Sequence, residues 1–336
     1  MSVSTLLDRL ALPLAAAGFV FLIAAAPPPA RAGHLLGDGS VVDAARGIAY
    51  VARPEGGIEA LDLATGRAVW RSDAAAKPLA LAGGALLAQD EPGASGEFRL
   101  ATLDAATGLE KRRVQLVLPE GVRATVTDNL SGAFRARAVW PEGDGPALIA
   151  WTATALPPSS GFLPPDLSLR APAESSAAAG APAGKGVRRG AARLDLAAGR
   201  AFPADDPEAV GIAIAIDRSL ARTGSAGPAG VAGLPSIDGR HALRSERVAG
   251  SIHTYRWSIS DRATGAVVAV LDAPVSLAPY VVFDGRVIYL AQPALSRDRG
   301  VTVRKPLRLR ALDLATGAES WQAAVRSSAY GGPIPP

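Results

Sequence analysis

The sequence predicts an all-β fold, a β-propeller of four-stranded antiparallel blades. Three observations lead there. The segment ALDLATGRAVW at Ala60–Trp70 returns almost intact as ALDLATGAESW at Ala311–Trp321. Weaker copies stand between them, as ATLDAATGLEKR from Ala101, ARLDLAAGRAFP from Ala192 and SISDRATGAVVA from Ser258. A second hairpin-like unit precedes each copy, and self-similarity at that scale is the mark of a repeat architecture.

Each copy reads as a strand, a turn and a strand. Asp62, Asp104, Asp195, Asp261 and Asp313 stand four residues before Gly66, Gly108, Gly199, Gly265 and Gly317. At that spacing the carboxylate can accept backbone N–H bonds across the turn, while glycine supplies the positive φ that closes it. Thr65, Thr107, Thr264 and Thr316 precede four of the glycines and add a hydroxyl, whereas Ala198 takes that place in the third copy. Trp70 and Trp321 lie four residues beyond their glycines, where the other copies carry Arg112, Pro203 and Ala269. A large aromatic there would wedge against the neighbouring sheet, so its absence from three copies implies uneven packing.

The preceding units are SVVDAARGIAYVA from Ser40, PLALAGGALLAQD from Pro78, AVWPEGDGPALIAW from Ala138, LPSIDGRHALRSE from Leu234 and YVVFDGRVIYLA from Tyr280. Asp238-Gly239 and Asp284-Gly285 are strong hairpin signals, and Gly83-Gly84 is a permissive one. Two hairpins per repeat make a four-stranded sheet, and several such sheets in one chain bury their faces by radial packing. The count is about five blades, with room for a sixth or seventh within Val122–Val139 or Ala204–Gly233. In that last interval Val210–Ile216 reads as a strand.

The pattern Leu-Asp-x-x-Thr-Gly-x-x-x-Trp resembles the repeat of quinoprotein-like propellers (PQQ-like repeats), a family that includes pyrroloquinoline-quinone dehydrogenases and outer-membrane assembly lipoproteins. The resemblance runs from about Ser40 to Trp321 and implies a propeller of the non-dehydrogenase type. Dehydrogenases of the family carry an adjacent-cysteine pair and axial Glu, Asn and Asp residues. This chain has no cysteine, and its one asparagine is Asn129. No cofactor or metal residue carries over, and no cofactor is expected. The missing cysteine also removes the lipid-attachment site of the lipoproteins and any disulfide.

Composition agrees with a turn-rich globular chain. It has 336 residues, 36 glycines, 27 prolines, 49% hydrophobic residues and 5% aromatics. The formal charge is only +4, so no basic patch points to nucleic acid. Residues 1–32 read as a signal peptide, with an apolar run at Leu10–Ala26, helix-breaking Pro27–Pro29 and the small-x-small site Ala30-Arg31-Ala32. The alternative is an uncleaved inner-membrane anchor at residues 10–26, which is short for a span. Either way the propeller, residues 33–336, is expected outside the cytoplasm, periplasmic or secreted from a bacterium. No span is expected to remain after cleavage.

Between Thr154 and Gly190 the composition shifts to Pro, Ala, Ser and Gly, which reads as a flexible insertion between the second and third strands of blade three. Chemistry is thin elsewhere. His34, His241 and His253 are scattered and show no metal-ligand spacing, with His34 expected to be mobile. Asp205, Asp206 and Glu208 form a small acidic cluster, and Asp104 with Glu110 share a hairpin, yet acidic groups in turns are routine. Ser159, Ser160, Ser175 and Ser176 lack a Gly-x-Ser-x-Gly context, and Gly224–Gly230 leads into no helix suited to phosphate. The expectation is a monomeric, non-catalytic propeller that presents rim loops, or strand edges, to a protein partner. The alternative is a quinone- or sugar-dependent oxidoreductase with a shortened propeller, which would need convergent carboxylates and an arginine on the axis. A chain-end segment from Tyr330 is expected beside Leu35–Val42 to close the ring.

Overall fold

The computed structural model describes residues 33–37, 39–90, 97–119, 122, 132–140, 145–155, 187–222, 231–251, 254–291, 295–298, 301–304 and 307–326. The signal segment, the residues from Tyr330, His253, Asn129, the four serines and most of the insertion lie outside them.

Among the described residues, five antiparallel sheets of four or five strands follow one another along the chain. Blade one holds β1 (His34–Gly37), β2 (Ser40–Asp43), β3 (Ile48–Ala52), β4 (Ile58–Asp62) and β5 (Ala68–Ser72). Blade two is β6 (Lys77–Ala82), β7 (Ala85–Gln89), β8 (Glu97–Asp104) and β9 (Glu110–Val117). Blade three is β10 (Gly132–Val139), β11 (Ala147–Ala155), β12 (Val187–Asp195) and β13 (Arg200–Pro203). A helix α1 (Asp206–Arg222) then intervenes. Blade four is β14 (Leu234–Pro235), β15 (His241–Arg247), β16 (Tyr255–Asp261) and β17 (Val267–Ala273). Blade five is β18 (Tyr280–Phe283), β19 (Arg286–Ala291), β22 (Leu307–Asp313) and β23 (Glu319–Val325), with the hairpin β20 (Leu295–Asp298) and β21 (Val301–Arg304) inserted in it.

Consecutive sheets pack through opposite faces, because strand side chains alternate between faces. On blade five, Ile288, Leu290, Leu309 and Ala311 pack against Val42, Ala49, Val51 and Leu61 of blade one. Its Val287, Tyr289 and Leu312 face Leu243, Trp257 and Leu271 of blade four. Val41, Tyr50, Ile58 and Ala60 of blade one meet Leu81, Leu86, Ala88 and Leu103 of blade two. The other face of blade two, with Leu87, Phe98 and Leu100, meets Phe134, Ile149 and Trp151 of blade three. At these four seams each sheet face finds its apolar partner in a neighbouring sheet, and the described sheets make a β-propeller of about five blades.

Two features depart from the sequence expectations. Val210–Ile216 is not a strand but the middle of α1. Asp205 caps it, accepting the Glu208 N–H at 2.9 Å through its carboxylate, and Asp206 and Glu208 lie in its first turn. Pro207 and the Asp-x-x-Glu spacing are a helix start, and a short apolar run has no period that separates the two structures. Ile212 and Ile216 then bury against Ala150 and Ala191 of blade three, and Arg193 pairs with Glu208 at 2.6 Å. The helix therefore covers the face of blade three that a next blade would otherwise cover.

His34 is not a mobile flank. It opens β1, which pairs with β2 in the register His34–Val42 and Leu35–Val41. The Gly33 N–H donates to the Leu81 carbonyl at 3.0 Å, and Leu36 is fully buried. A side chain at Gly37 would strike Leu290, with an added Cβ 2.4 Å from its Cδ2. Thus β1 adds a fifth strand to blade one and reaches toward blades two and five. In blade three, β11 and β12 stay paired to Thr154–Val187, so residues 154–155 and 187–190 belong to strands.

Candidate functional site

The recurrent corners are built alike. Thr65 donates both its N–H and its hydroxyl to the Asp62 carboxylate, each at 2.8 Å, and the Gly66 N–H donates to the Asp62 carbonyl at 2.7 Å. Gly66 has φ of 70°, the left-handed region in which glycine carries no Cβ penalty. Thr107 repeats the arrangement on Asp104, Thr264 on Asp261 and Thr316 on Asp313. In the third copy only a backbone bond remains, from the Ala198 N–H to Asp195 at 2.7 Å, beside Gly199.

These bonds decide the charge state of the carboxylates. Donation from Thr264 and Thr316 holds Asp261 and Asp313 below the usual carboxylate range. Asp104 falls to about 2, chiefly because Lys111 donates to it, with the ammonium 2.8 Å away. Glu110 is lowered too, by Arg113, which also pairs with the buried Asp90. The two carboxylates that share this hairpin are therefore occupied by separate cations, and neither is poised to take up a proton near neutral pH.

The tryptophans dock on the corner of the following blade. The Trp70 indole N–H donates to the Ala105 carbonyl at 3.0 Å, and that of Trp321 to the Leu63 carbonyl at 3.2 Å. A Cβ added at Gly108 would lie 2.5 Å from the Trp70 ring, and one at Gly66 2.6 Å from the Trp321 ring. Trp321 thereby joins blade five to blade one, and the Arg326 N–H adds a bond to the Ala52 carbonyl at 2.9 Å. Where tryptophan is missing the contact loosens. Arg112 comes no closer than 3.4 Å to a Cβ at Gly199, and Leu271 no closer than 3.4 Å at Gly317. At Gly265 of blade four nothing lies within 4 Å, in keeping with α1 covering blade three on that side.

The remaining candidates do not converge. His241 sits on β15 opposite Asp261, and burial lowers its pKa. Asp205, Asp206 and Glu208 serve the start of α1. Among the described residues no group of three or more His, Cys, Asp or Glu side chains is arranged to hold a metal ion. A shallow depression of about 430 Å³ lies at the outer junction of blades four and five, lined by Arg256, Val270, Asp272 and Thr316. It is away from the axis. No helix among the described residues is long and apolar enough to cross a membrane.

The meander topology separates two rims. Connections between first and second strands, and between third and fourth, lie on one end of every blade, and the Asp/Gly corners are there. The second-to-third connections lie on the other end. That rim is closed tightly in blade one, where the Arg53 N–H donates to the Gly57 carbonyl at 2.9 Å. In blades two and four the same connection takes in residues 90–96 and 248–254, and in blades three and five the strands it joins end at Ala155 and Val187 and at Ala291 and Leu307.

No protein-family model matches the chain, and no curated protein matches it. Solved structures do. BamB from Moraxella catarrhalis is 15% identical with a TM-score of 0.25, over 85% of this chain and 63% of its own. The quinohemoprotein alcohol dehydrogenase from Comamonas testosteroni is 14% identical with a TM-score of 0.24, over 89% and 69%. The β-propeller domain of Cps50 (Swd1) from Myceliophteria thermophila is 12% identical with a TM-score of 0.27, over 88% of both. The chain thus spans less than two thirds of the BamB length. Likenesses of this size carry nothing about activity or partner, and the propeller assignment rests on the packing of the blades.

Proposed function

We propose that the chain is an exported, non-catalytic propeller, a scaffold of the bacterial envelope that holds a partner protein at the rim of its second-to-third-strand connections. The observation that carries this reading is the contrast between the rims: on one, the second and third strands of blades three and five end at Ala155 and Val187 and at Ala291 and Leu307, far apart in the chain, whereas the opposite rim is made of short, internally bonded corners. Long loops on a stiff scaffold are where recognition residues concentrate. Export is supported by the apolar run Leu10–Ala26 and the Ala30-Arg31-Ala32 site in the sequence.

The test is a crosslinking capture from an envelope fraction, run with the full chain and with a variant in which residues 156–186 are replaced by Asn-Gly. Thr154 and Val187 are already paired, so a three-residue hairpin loop with glycine in the left-handed position can join the strands. A partner retained by the full chain and lost by the shortened one is the expected result. Equal capture by both would refute recognition by this rim. Soaking the purified protein with pyrroloquinoline quinone and calcium tests the lack of catalysis, since a stoichiometric change in visible absorbance would favour an oxidoreductase.

A further inference from the structure

β1 stands outside the repeat, whose first unit begins at Ser40, and among the described residues no other blade has a fifth strand. Short as it is, it touches three blades. His34 and Leu35 pair with Val42 and Val41 of blade one. Leu36 is fully buried in the core between blades five and one, while Leu35 packs on the core between blades one and two. At both ends the backbone itself is in contact. A Cβ at Gly37 would lie 2.4 Å from Leu290 Cδ2 of blade five, and one at Gly33 would lie 2.5 Å from Leu81 Cβ of blade two and 3.1 Å from Val41. The Gly33 N–H that donates to the Leu81 carbonyl at 3.0 Å belongs to the peptide bond with Ala32. That bond is the one the small-x-small site Ala30-Arg31-Ala32 marks for cleavage. Because β1 is antiparallel to β2, the residues before Gly33 join the propeller at the rim of the Asp/Gly corners, opposite the second-to-third-strand connections.

We propose that docking of β1 masks the Ala32–Gly33 bond, so that a signal peptidase removes residues 1–32 only before β1 docks, and a chain that folds first keeps them. The proposal rests on the reading of residues 1–32 as a cleavable leader. An endopeptidase takes its substrate as an extended strand, with the backbone on both sides of the scissile bond laid in its cleft. Here the scissile N–H is already given to Leu81, Gly33 is packed on Leu81 and Val41, and the next residues are paired with β2. Cleavage of the folded chain therefore requires β1 to lift off, and its rate follows the population of that open form. Hydrolysis adds one water: the C–N bond breaks, the water oxygen joins the Ala32 carbonyl carbon, and a carboxylate and an ammonium result. The ammonium left on Gly33 can still donate to the Leu81 carbonyl. Docking thus blocks cleavage, whereas cleavage does not block docking. The polar start of the leader has a single arginine, Arg9, and no twin pair, in keeping with export as an unfolded chain.

The test sets the full chain, folded in detergent micelles, beside a synthetic peptide of residues 24–40. Each is treated with purified signal peptidase, and mass spectrometry reads the appearance of an amino terminus at Gly33. The expected result is that the peptide is cut and the folded chain is cut at least about tenfold more slowly. Leu36→Asp puts a charge at a fully buried position, and Gly37→Val drives a side chain into Leu290. Both lie beyond the small-x-small residues that the enzyme reads, and both bring the rate up toward that of the peptide. Adding Leu290→Ala to Gly37→Val makes room for the valine and restores protection. Circular dichroism establishes that the variants keep their sheets. Should Leu36→Asp fail to fold, Gly37→Val with its rescue carries the comparison. A folded chain cut as fast as the peptide overturns the masking, as does a Gly37→Val chain that stays protected. A peptide left uncut after Ala32 overturns the reading of the leader, and the proposal falls with it.

Discussion

Replacing Trp321 by alanine tests how the ring is held at the junction of blades five and one. Full burial would make this a loss of about 3–5 kcal/mol. Trp321 is only half-buried, but its indole N–H also donates to the Leu63 carbonyl, a bond worth about 1 kcal/mol net. Together these place the expected destabilisation at about 2–3 kcal/mol, read by urea unfolding followed by far-ultraviolet circular dichroism. A glycine pair supplies the control. Gly66 and Gly265 both have positive φ, 70° and 73°, so alanine costs each about 1–2 kcal/mol of backbone strain. Only at Gly66 does the new Cβ also meet Trp321, at 2.6 Å, since Gly265 has open space. Gly66→Ala should therefore cost more than Gly265→Ala, and the excess should vanish when Trp321 is already alanine, a coupling of about 1 kcal/mol in the double-mutant cycle. Additive effects, or a Trp321→Ala cost within about 0.5 kcal/mol of zero, would show that the docked indole does not hold the junction.

Two further outcomes follow from single residues. Asp104, lowered to about 2 by Lys111 and its turn, contributes stability that is present above the unfolded-state pKa and lost as pH falls through the folded one. The melting temperature should drop between about pH 4 and pH 2, less steeply in Asp104→Asn, and half-molar salt should shrink the difference because the carboxylate is exposed. Asp205→Ala removes the cap of α1 and should cost about 1 kcal/mol, measured by urea unfolding. A loss of helical signal in its circular dichroism should accompany it.

The blade plan was legible because its signals are local. An Asp and a Gly four apart close a turn wherever flanking residues alternate, and the five turns with five preceding hairpins leave radial packing as the way to bury both faces. The first unit's second strand, read as Ile48–Ala52, is β3 with those bounds. The helix start at Asp205 is equally local, but an aspartate pair followed by a glutamate reads as an acidic cluster as readily as it does a cap. The candidate carboxylates Asp104 and Glu110 were legible as neighbours, but their cations were not, since Lys111 and Arg113 face them only once the hairpin folds.

What the amino-acid order determined alone was the repeating element, its strand alternation and its turn chemistry, all set by residues within a few positions of one another. The tertiary structure alone decided which blades touch. It brings Trp321 onto the corner at Gly66, 255 positions away in the chain, lays β1 along the inner edge of blade one, and sets α1 where blade three would otherwise face blade four. Those contacts depend on which faces remain uncovered after all the sheets have formed, a condition that no window of sequence contains.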